Sequence, residues 1–271
     1  MSLKEYLKNK LTKKELDLVP RSFDQIGHIA IFSEFPKELK KKEKIIGNTL
    51  IKTNNQIKTV AIKTEKHSGR FRTKKVRIIA GEKTKETVHR ENGVILKLDV
   101  EKCYFSPRTG SERLRIAKLV KKGESVLVLF SGIAPFVLTI AKNSKAKEIY
   151  GIEINPTAHK YAEENVKLNK VKNVFLYKGD VRKILPKLKK FDRILMPHPT
   201  DAVSYLNLAL KHLKKNGILH FYDFQEEDDF KNAVEKIKKK AKGKVLRIVK
   251  CGDYGPRIFR ICVDFRFEKF I

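Results

Sequence analysis

The sequence predicts an α/β protein in which a doubly wound parallel sheet follows a small α+β domain. After residue 110, short apolar segments alternate with helical patterns, and repeated β-α-β units of this kind form a parallel sheet covered by helices on both faces. Before residue 100, short strand patterns and lysine-rich helical patterns follow one another without that regular order. We expect three parts: a helical extension over 1–20, a small α+β domain over 21–101 and the sheet domain over 102–271.

The first hundred residues carry several short patterns. Apolar residues recur at roughly helical spacing over 1–19, and Pro20 ends the pattern, so we expect one amphipathic helix there. A second, lysine-rich helix is expected around Pro36–Ile46, and a polar run, Gly81–Gly93, separates the last two strands. The expected strands are Ile29–Phe32, Thr59–Ile62, Val76–Ala80 and Val94–Val100.

The second part starts with the continuous apolar run Ser125–Phe130, which is typical of a strand buried on both faces. Asn155 is suited to cap a helix that has Pro156 at its first position. The other expected strands are Glu148–Ile152, Val174–Tyr177, Arg193–Met196 and Gly217–Tyr222, with helices at Pro135–Lys142 and Tyr205–Leu213. Arg247–Val249 and Arg260–Phe267 alternate in polarity and are expected to pair as antiparallel edge strands.

The composition narrows the class of partner. Lys plus Arg number 61 against 31 Asp plus Glu, a formal charge of +30 that is spread along the chain. Such a surface favours a polyanion, and nucleic acid is the expected partner. Lysine-rich surfaces also occur in heat-adapted proteins, but there Glu rises with Lys, which it does not do here.

Several protein classes are excluded by the same counts. With 41% hydrophobic residues the chain can form a sizeable core, and no apolar run approaches the roughly 20 residues that span a bilayer. The three cysteines are far apart and form no CxxC pair, so neither a disulfide scaffold nor a cysteine-rich metal site is expected. We expect a cytoplasmic protein without a metal or a membrane partner.

Three residues predict a nucleoside site at the carboxyl end of the sheet. Gly132 lies in a tight turn after the first strand, where the backbone is able to approach a ligand closely. Glu153 ends the second strand, and its carboxylate is able to accept hydrogen bonds from both ribose hydroxyls. Asp180 follows the third strand and is a candidate acceptor for an adenine amino group. A strand-terminal Glu is as often only a solvated turn residue.

The turn itself favours one cofactor. A dinucleotide site prefers G-x-G-x-x-G because its pyrophosphate needs close backbone contact, whereas residues 132–137 read Gly-Ile-Ala-Pro-Phe-Val. The chain also lacks the GxxxxGK[ST] phosphate loop. S-adenosylmethionine has no phosphate and tolerates a looser turn, so the ordered set indicates a methyltransferase.

Two polar segments are candidates for the substrate side. In residues 105–115, Glu112 follows a potential helix cap at Thr109 or Ser111, so a capping and helix-dipole role competes with a catalytic one. Ser68–Lys75 places an aromatic residue among basic ones, a pattern that suits RNA as well as a plain solvated loop.

At these residues the sequence resembles a family. FSPRxxxERxR at 105–115, LFSGIAPF at 129–136, GIEINPTA at 151–158, a GDVR turn and a strand running into MPHP are similar to the archaeal and eukaryotic tRNA (guanine37-N1)-methyltransferases. The resemblance covers about residues 65–271. It implies a Rossmann-like class I methyltransferase domain that binds S-adenosyl-L-methionine and a small N-terminal α+β domain that grips the anticodon stem-loop of tRNA.

The resemblance also implies residue roles. Glu112 matches the catalytic carboxylate, which takes the proton from guanine N1, and Arg72 matches the arginine that stabilises the charge on O6. Together with Gly132, the expected cofactor contacts are Arg113, Phe130, Glu153, Ile154, Asp180, Val181 and Pro197. The expected tRNA contacts are Arg70, Arg72, Lys74 and Arg108.

The chain departs from the family at two places. Pro197-His198-Pro199 replaces an Asn-containing loop after the fourth strand, and Val128 stands where an acidic residue is common. The related wybutosine-pathway aminocarboxypropyltransferase and a non-catalytic tRNA-binding relative are therefore alternatives, although the FSPR segment favours methyl transfer. We expect a monomer without the extra N-terminal module of many relatives.

Overall fold

A computed structural model describes residues 2–65 and 69–271 of the chain. The chain divides into two compact units. The first contains residues up to Arg90 together with Ile95–Pro107, and the second contains Glu91–Val94 together with Arg108–Ile271. Within the described residues, no helix combines the length and apolar character that a membrane span requires.

The first unit is built on a four-stranded sheet. Its strands lie in the order β1-β2-β3-β4, in which only β2 and β3 pair in parallel. A separate hairpin, β5-β6, follows it in the chain. The elements are α1 (Leu3–Leu7), α2 (Lys13–Leu18), β1 (Asp24–Ile26), β2 (Ile29–Phe32), a 3-10 turn (Lys37–Lys42), α3 (Glu43–Thr53), β3 (Thr59–Lys63), β4 (Val76–Gly81), β5 (Glu86–Glu91) and β6 (Val94–Asp99).

The four expected strands of this unit are confirmed, but two helix predictions were wrong in their bounds. The single helix over 1–19 is two helices, because Thr12 accepts from the backbone N–H of Glu15 and starts α2 with a capping box. The helix expected at Pro36–Ile46 begins only at Glu43, after the 3-10 turn. The run Gly81–Gly93, expected to be a polar connection, contains β5. Leu7, Leu11 and Val19 pack in the same core as the sheet.

The second unit is a seven-stranded sheet in the order β12-β13-β11-β10-β7-β8-β9. The five strands from β11 to β9 are parallel, and β13 is antiparallel to both of its neighbours. The elements are α4 (Gly110–Leu119), β7 (Ser125–Leu129), α5 (Pro135–Asn143), β8 (Glu148–Glu153), α6 (Pro156–Leu168), β9 (Val174–Lys178), α7 (Val181–Ile184), β10 (Phe191–Met196), α8 (Ala202–Lys211), β11 (Leu213–Glu226), α9 (Phe230–Lys238), β12 (Ala241–Gly255) and β13 (Ile258–Phe270).

The doubly wound prediction is confirmed, including the antiparallel edge pair. Asn155 caps α6 as expected, since its side chain accepts from the backbone N–H groups of Thr157 and Ala158. The chain runs outward from β7 through β8 to β9 and then returns to β10 on the other side of β7. This reversal places a topological switch point between β7 and β10, where ligands bind in sheets of this kind. α9 was not predicted.

Candidate active site

The loop after β7 has an unusual backbone. Phe130, Gly132 and Ala134 all have positive φ angles, of 55°, 55° and 70°. Only glycine adopts this region without steric cost, so the bulky Phe130 is held there by its surroundings. The buried hydroxyl of Ser131 has no hydrogen-bond partner among the described residues. A strained loop with an unsatisfied polar atom at the switch point is typical of a ligand site.

Glu153, at the end of β8, joins this loop to the next one. Its Oε2 accepts from the backbone N–H of Gly132 at 2.7 Å, and its Oε1 accepts from the backbone N–H of Asn155 at 2.7 Å. Burial raises the pKa of this carboxyl, and backbone hydrogen bonds from Asn155, Gly132 and Ile154 offset only part of that shift. A carboxylate offers about four acceptor positions, so these three donors leave about one of them open.

Asp180 lies beside Glu153 because Gly179 donates its backbone N–H to the Glu153 carbonyl at 2.8 Å. The Asp180 side chain accepts from the backbone N–H of Arg182 at 2.8 Å and so caps α7. Val181, the first residue of that helix, is buried, and Ile154 is half-buried. The loops after β7, β8 and β9 are therefore brought together, as the sequence predicted.

An aromatic cluster closes the other side of the switch point. The Phe130 ring lies 5.3 Å from the His198 ring and 4.9 Å from the Tyr205 ring, between centroids. The Arg182 guanidinium lies 4.5 Å from the centroid of the Tyr205 ring. Pro197, directly after β10, is half-buried. Sequence reasoning missed Tyr205, because an aromatic residue in an amphipathic helix gives the same signal as any core residue.

Arg113 is buried in an ion pair. Its Nε and Nη2 donate to the two oxygens of Glu91 at 2.5 and 2.6 Å, and its Nη1 donates to Thr109 Oγ1 at 2.5 Å. The Thr109 hydroxyl thus accepts from a guanidinium and does not cap α4, which corrects one of the two expected caps. Glu91 is the last residue of β5, and its sequence context gives no sign of this partnership.

Glu112 lies in the first turn of α4 and is 4% exposed. Arg115 donates to both of its oxygens, through Nε to Oε2 at 2.7 Å and through Nη2 to Oε1 at 2.8 Å. The Tyr222 hydroxyl donates to Oε1 at 2.6 Å. Tyr222 directly follows Phe221, which pairs with Met196 at the carboxyl end of β10, so Glu112 lies at the ligand-binding edge of the sheet.

The basic segment of the first unit is described from Gly69 onward, and Ser68, also part of that prediction, lies outside the described residues. Arg70 is exposed, and Arg72 is half-buried with a φ of 53° and a backbone N–H that donates to the Gly69 carbonyl at 3.1 Å. Lys74 is only 9% exposed, and burial lowers its pKa to about 8. Because Lys74 is buried, its ammonium group is less accessible to a phosphate than expected for a predicted tRNA contact.

Arg108, the remaining predicted tRNA contact, is exposed on the 3-10 turn that precedes α4. In the second unit, the predicted site residues of the loops after β7, β8, β9 and β10 lie at one edge of the sheet. Arg70, Arg72 and Lys74 belong to the first unit.

The sheet order, the tight turn after β7 and the carboxylate at the end of β8 define a class I methyltransferase domain. Residues 87–249 match the family model described as the TRM5/TYW2 methyltransferase domain, and residues 3–84 match the TYW2 N-terminal domain. The chain belongs to the TRM5/TYW2 methyltransferase family.

Relatives that match most of the chain include enzymes named for two different reactions. The chain is 42% identical to the tRNA (guanine(37)-N(1))-methyltransferase Trm5b of Pyrococcus abyssi, over 92% of this chain and 75% of the relative. It is 35% identical to Trm5b of Methanocaldococcus jannaschii, over 99% and 78%. It is also 33% identical to the tRNA(Phe) (4-demethylwyosine(37)-C(7)) aminocarboxypropyltransferase of M. jannaschii, over 91% and 98%.

Solved structures of both Trm5 and TYW2 proteins are similar to this chain. The structure of P. abyssi Trm5b is 41% identical with a TM-score of 0.86, over 95% of this chain and 78% of that one. A complex of aTrm5 and tRNALeu is 31% identical with a TM-score of 0.89, over 99% and 78%. M. jannaschii TYW2 in complex with AdoMet is 28% identical with a TM-score of 0.71, over 92% and 100%.

Proposed function

We propose that this protein transfers the methyl group of S-adenosylmethionine to N1 of guanosine 37 in tRNA. The two Trm5b relatives carry this activity in their names and match nearly the whole chain. The observation that carries the proposal to this chain is the position of Glu112, a buried carboxylate at the carboxyl edge of a class I methyltransferase sheet.

The residues after the first three strands fit the nucleoside part of this cofactor. Glu153 is assigned to accept from the ribose hydroxyls, and the positive-φ turn at Gly132 allows close backbone approach. Asp180 is assigned to the adenine amino group. The other cofactor contacts are assigned to Arg113, Phe130, Ile154, Val181 and Pro197. When bound, the cofactor supplies an electrophilic methyl group on a sulfonium.

The chemistry on the guanine side requires a base. Guanine N1 carries a proton at neutral pH and becomes a nucleophile when that proton is removed. Three donors already reach Glu112, two on Oε1 and one on Oε2, so one acceptor position remains on Oε2. We assign the N1 proton to that position. Negative charge then builds on O6, and Arg72 is assigned to stabilise it.

Binding of tRNA follows from the charge. A formal charge of +30 provides attraction to the phosphate backbone, and the target base has to leave its stack to reach the site. We assign tRNA contacts to Arg70, Arg72, Lys74 and Arg108, and we propose that residues 21–101, with the extension 1–20, grip the anticodon stem-loop while 102–271 carry the chemistry. The protein is proposed to act as a monomer in the cytoplasm.

The experiment is methyl transfer from labelled cofactor to two transcripts that differ only in having G or A at position 37. Label should enter only the G37 transcript, and nuclease digestion should yield 1-methylguanosine. Equal labelling of both transcripts, or label at another base, would contradict the proposal.

A second candidate is aminocarboxypropyl transfer with the same cofactor. Two observations favour it: residues 3–84 match a TYW2 N-terminal domain, and Pro197-His198-Pro199 replaces the Asn-containing loop. Mass analysis of the modified nucleoside separates the two, because the aminocarboxypropyl group is much heavier than a methyl group. Label in the cofactor methyl group also stays off the tRNA if the larger group is transferred.

A further inference from the structure

A largely buried series of hydrogen-bonded polar side chains leads away from Glu112, and the proposed chemistry does not use it. This hydrogen-bond chain consists of Arg115, Asp264, His220, Arg193 and Glu124. Its first member is Arg115, one turn further along α4. The Arg115 guanidinium donates to Glu112 on one side and to Asp264 on the other, through Nη1 to Oδ2 at 2.6 Å and through Nη2 to Oδ1 at 3.2 Å. One guanidinium therefore bridges two carboxylates, one on α4 and one on β13.

The hydrogen-bond chain continues into the middle of the sheet. His220 on β11 pairs in register with Asp264 on β13, and its Nδ1 lies 2.6 Å from Asp264 Oδ1. Arg193 Nη1 lies 2.7 Å from His220 Nε2. Because a guanidinium only donates, Nε2 is the acceptor and the neutral imidazole carries its proton on Nδ1, where it donates to Asp264. Burial lowers the pKa of His220, which favours this neutral form.

The far end is anchored to backbone and to a second carboxylate. Arg193 donates to both oxygens of Glu124, at 2.8 and 3.0 Å, and to the carbonyl of Leu119 at 2.8 Å. Leu119 is the last residue of α4. The same helix is therefore held at its first turn through Glu112 and at its last turn through Leu119.

Metal binding does not account for this cluster. Ligand atoms of His220, Cys262 and Asp264 lie within 4.8 Å of one another. Both His220 ring nitrogens are already hydrogen-bonded, and the guanidinium groups of Arg193 and Arg115 contact His220 and Asp264 directly. Burial raises the pKa of Cys262 well above its usual value, so its thiol stays protonated and is a poor ligand.

We propose that Arg115, Asp264 and His220 are positioning residues that hold the Glu112 carboxylate in the orientation needed to accept the guanine N1 proton. This proposal rests on the proposed function. Burial alone would raise the pKa of Asp264, but hydrogen bonds from His220 and Arg115 lower it below its usual range, so it remains ionised. An ionised Asp264 fixes Arg115, and Arg115 in turn fixes both oxygens of Glu112.

The geometry favours orientation over a purely stabilising role. Replacing a buried ion pair by apolar groups often costs no stability, so stability alone is a weak reason for a cluster of this size. Here Asp264 holds the Arg115 guanidinium, and His220 holds Asp264 in turn. The Arg115 guanidinium contacts both Oε1 and Oε2 of Glu112 and so constrains where they point. Misplacement of a reacting group by about 1 Å costs about 100-fold in rate.

The first test is Asp264→Asn. Single-turnover methylation of the G37 transcript, at saturating cofactor and tRNA, should slow by 10- to 100-fold, with unchanged dissociation constants for both substrates. Asp223→Asn is the matched control, since Asp223 is a similarly buried carboxylate that pairs with Lys236 and Gln225. Among the described residues, its hydrogen bonds do not include Arg115, Asp264 or His220. Its rate should equal that of the wild type. Equal slowing of both variants would overturn the proposal.

Two substitutions of His220 test the hydrogen-bond chain without altering Asp264. The amide nitrogen of Asn occupies nearly the place of Nδ1, so His220→Asn should keep the hydrogen bond to Asp264 and most of the rate. His220→Leu removes the donor and should reproduce the loss of Asp264→Asn. Equal rates for the two variants would contradict a positioning role for His220.

A double-mutant cycle separates positioning from folding. In the Glu112→Gln background there is no base to orient, so Asp264→Asn should have almost no further effect on the residual rate. A purely structural role predicts the same fold-loss in both backgrounds and would overturn the proposal. If the wild type leaves guanosine 37 unmodified, the proposed function fails; if the wild type methylates it and the cycle is additive, only the positioning proposal fails.

Discussion

Glu112 and Glu153 are both buried carboxylates at the same edge of the sheet, but they are held in different ways. Glu153 is bound by backbone N–H groups of the loops after β7 and β8, whereas side chains from α4 and β11 hold Glu112. Backbone donors fix a carboxylate that has only to accept hydrogen bonds. The side-chain donors to Glu112 include the charged guanidinium of Arg115.

The difference suggests a division of labour. A carboxylate that binds ribose hydroxyls needs a constant place, and backbone N–H groups supply it. A carboxylate that takes a proton needs a defined direction and a charge balance, and Arg115 and Tyr222 supply these.

Glu112→Gln should slow methylation of the G37 transcript by about 1,000-fold at neutral pH, because an amide does not accept the N1 proton. Cofactor affinity measured by calorimetry should be unchanged, since the cofactor contacts are assigned to other residues. An unchanged methylation rate would remove Glu112 from the role of base.

Arg72→Ala should slow the same step by about 100-fold, because the charge on guanine O6 would lose its cation. If Arg72 acts on the guanine and not on the cofactor, cofactor affinity stays at the wild-type value. Arg70→Ala, two residues away, is the control and should change only tRNA affinity and its salt dependence. An Arg72→Ala effect confined to tRNA affinity would reassign Arg72 to phosphate contact.

Glu153→Gln should weaken cofactor binding by about 10- to 100-fold, as expected for the loss of a hydrogen bond to a charged group. Its amide nitrogen would also face one of the two backbone donors, Gly132 or Asn155. The methylation rate at saturating cofactor should fall much less than the affinity. A large loss of rate with unchanged affinity would contradict the division of labour.

The pH dependence of cofactor binding gives the smallest expected effect. Burial raises the pKa of Glu153, so as the pH falls the carboxylate takes up a proton sooner than an ordinary glutamate, whose pKa is about 4.3. Protonation removes a hydrogen-bond acceptor for the cofactor. As the pH is lowered, cofactor affinity should therefore begin to fall at a pH above about 4.3, the pKa of an ordinary glutamate. The Glu153→Gln variant should lack this transition, and an identical transition in the variant would assign it to another group.

The sequence predicted the sheet of the second unit well, because buried parallel strands are continuous apolar runs with clear ends. Gly132, Glu153 and Asp180 could be located because each lies at the end of a strand or within a few residues after it. The connections of Glu112 could not be predicted, since Tyr222, Asp264 and His220 lie 108 or more positions away and resemble ordinary strand residues. The helix break at Thr12 has a signal in the sequence, the Thr12–Glu15 capping box, which the apolar spacing over 1–19 does not reveal.

The central claim is that Glu112 removes the N1 proton, and its most direct test is the pH dependence of the Glu112→Gln defect. Single-turnover methylation rates of the wild type and the variant are compared from neutral to alkaline pH, with both substrates saturating. The account predicts that the defect shrinks as the pH rises, because guanine N1 then loses its proton without help from the protein. A defect of constant size across that range would contradict it.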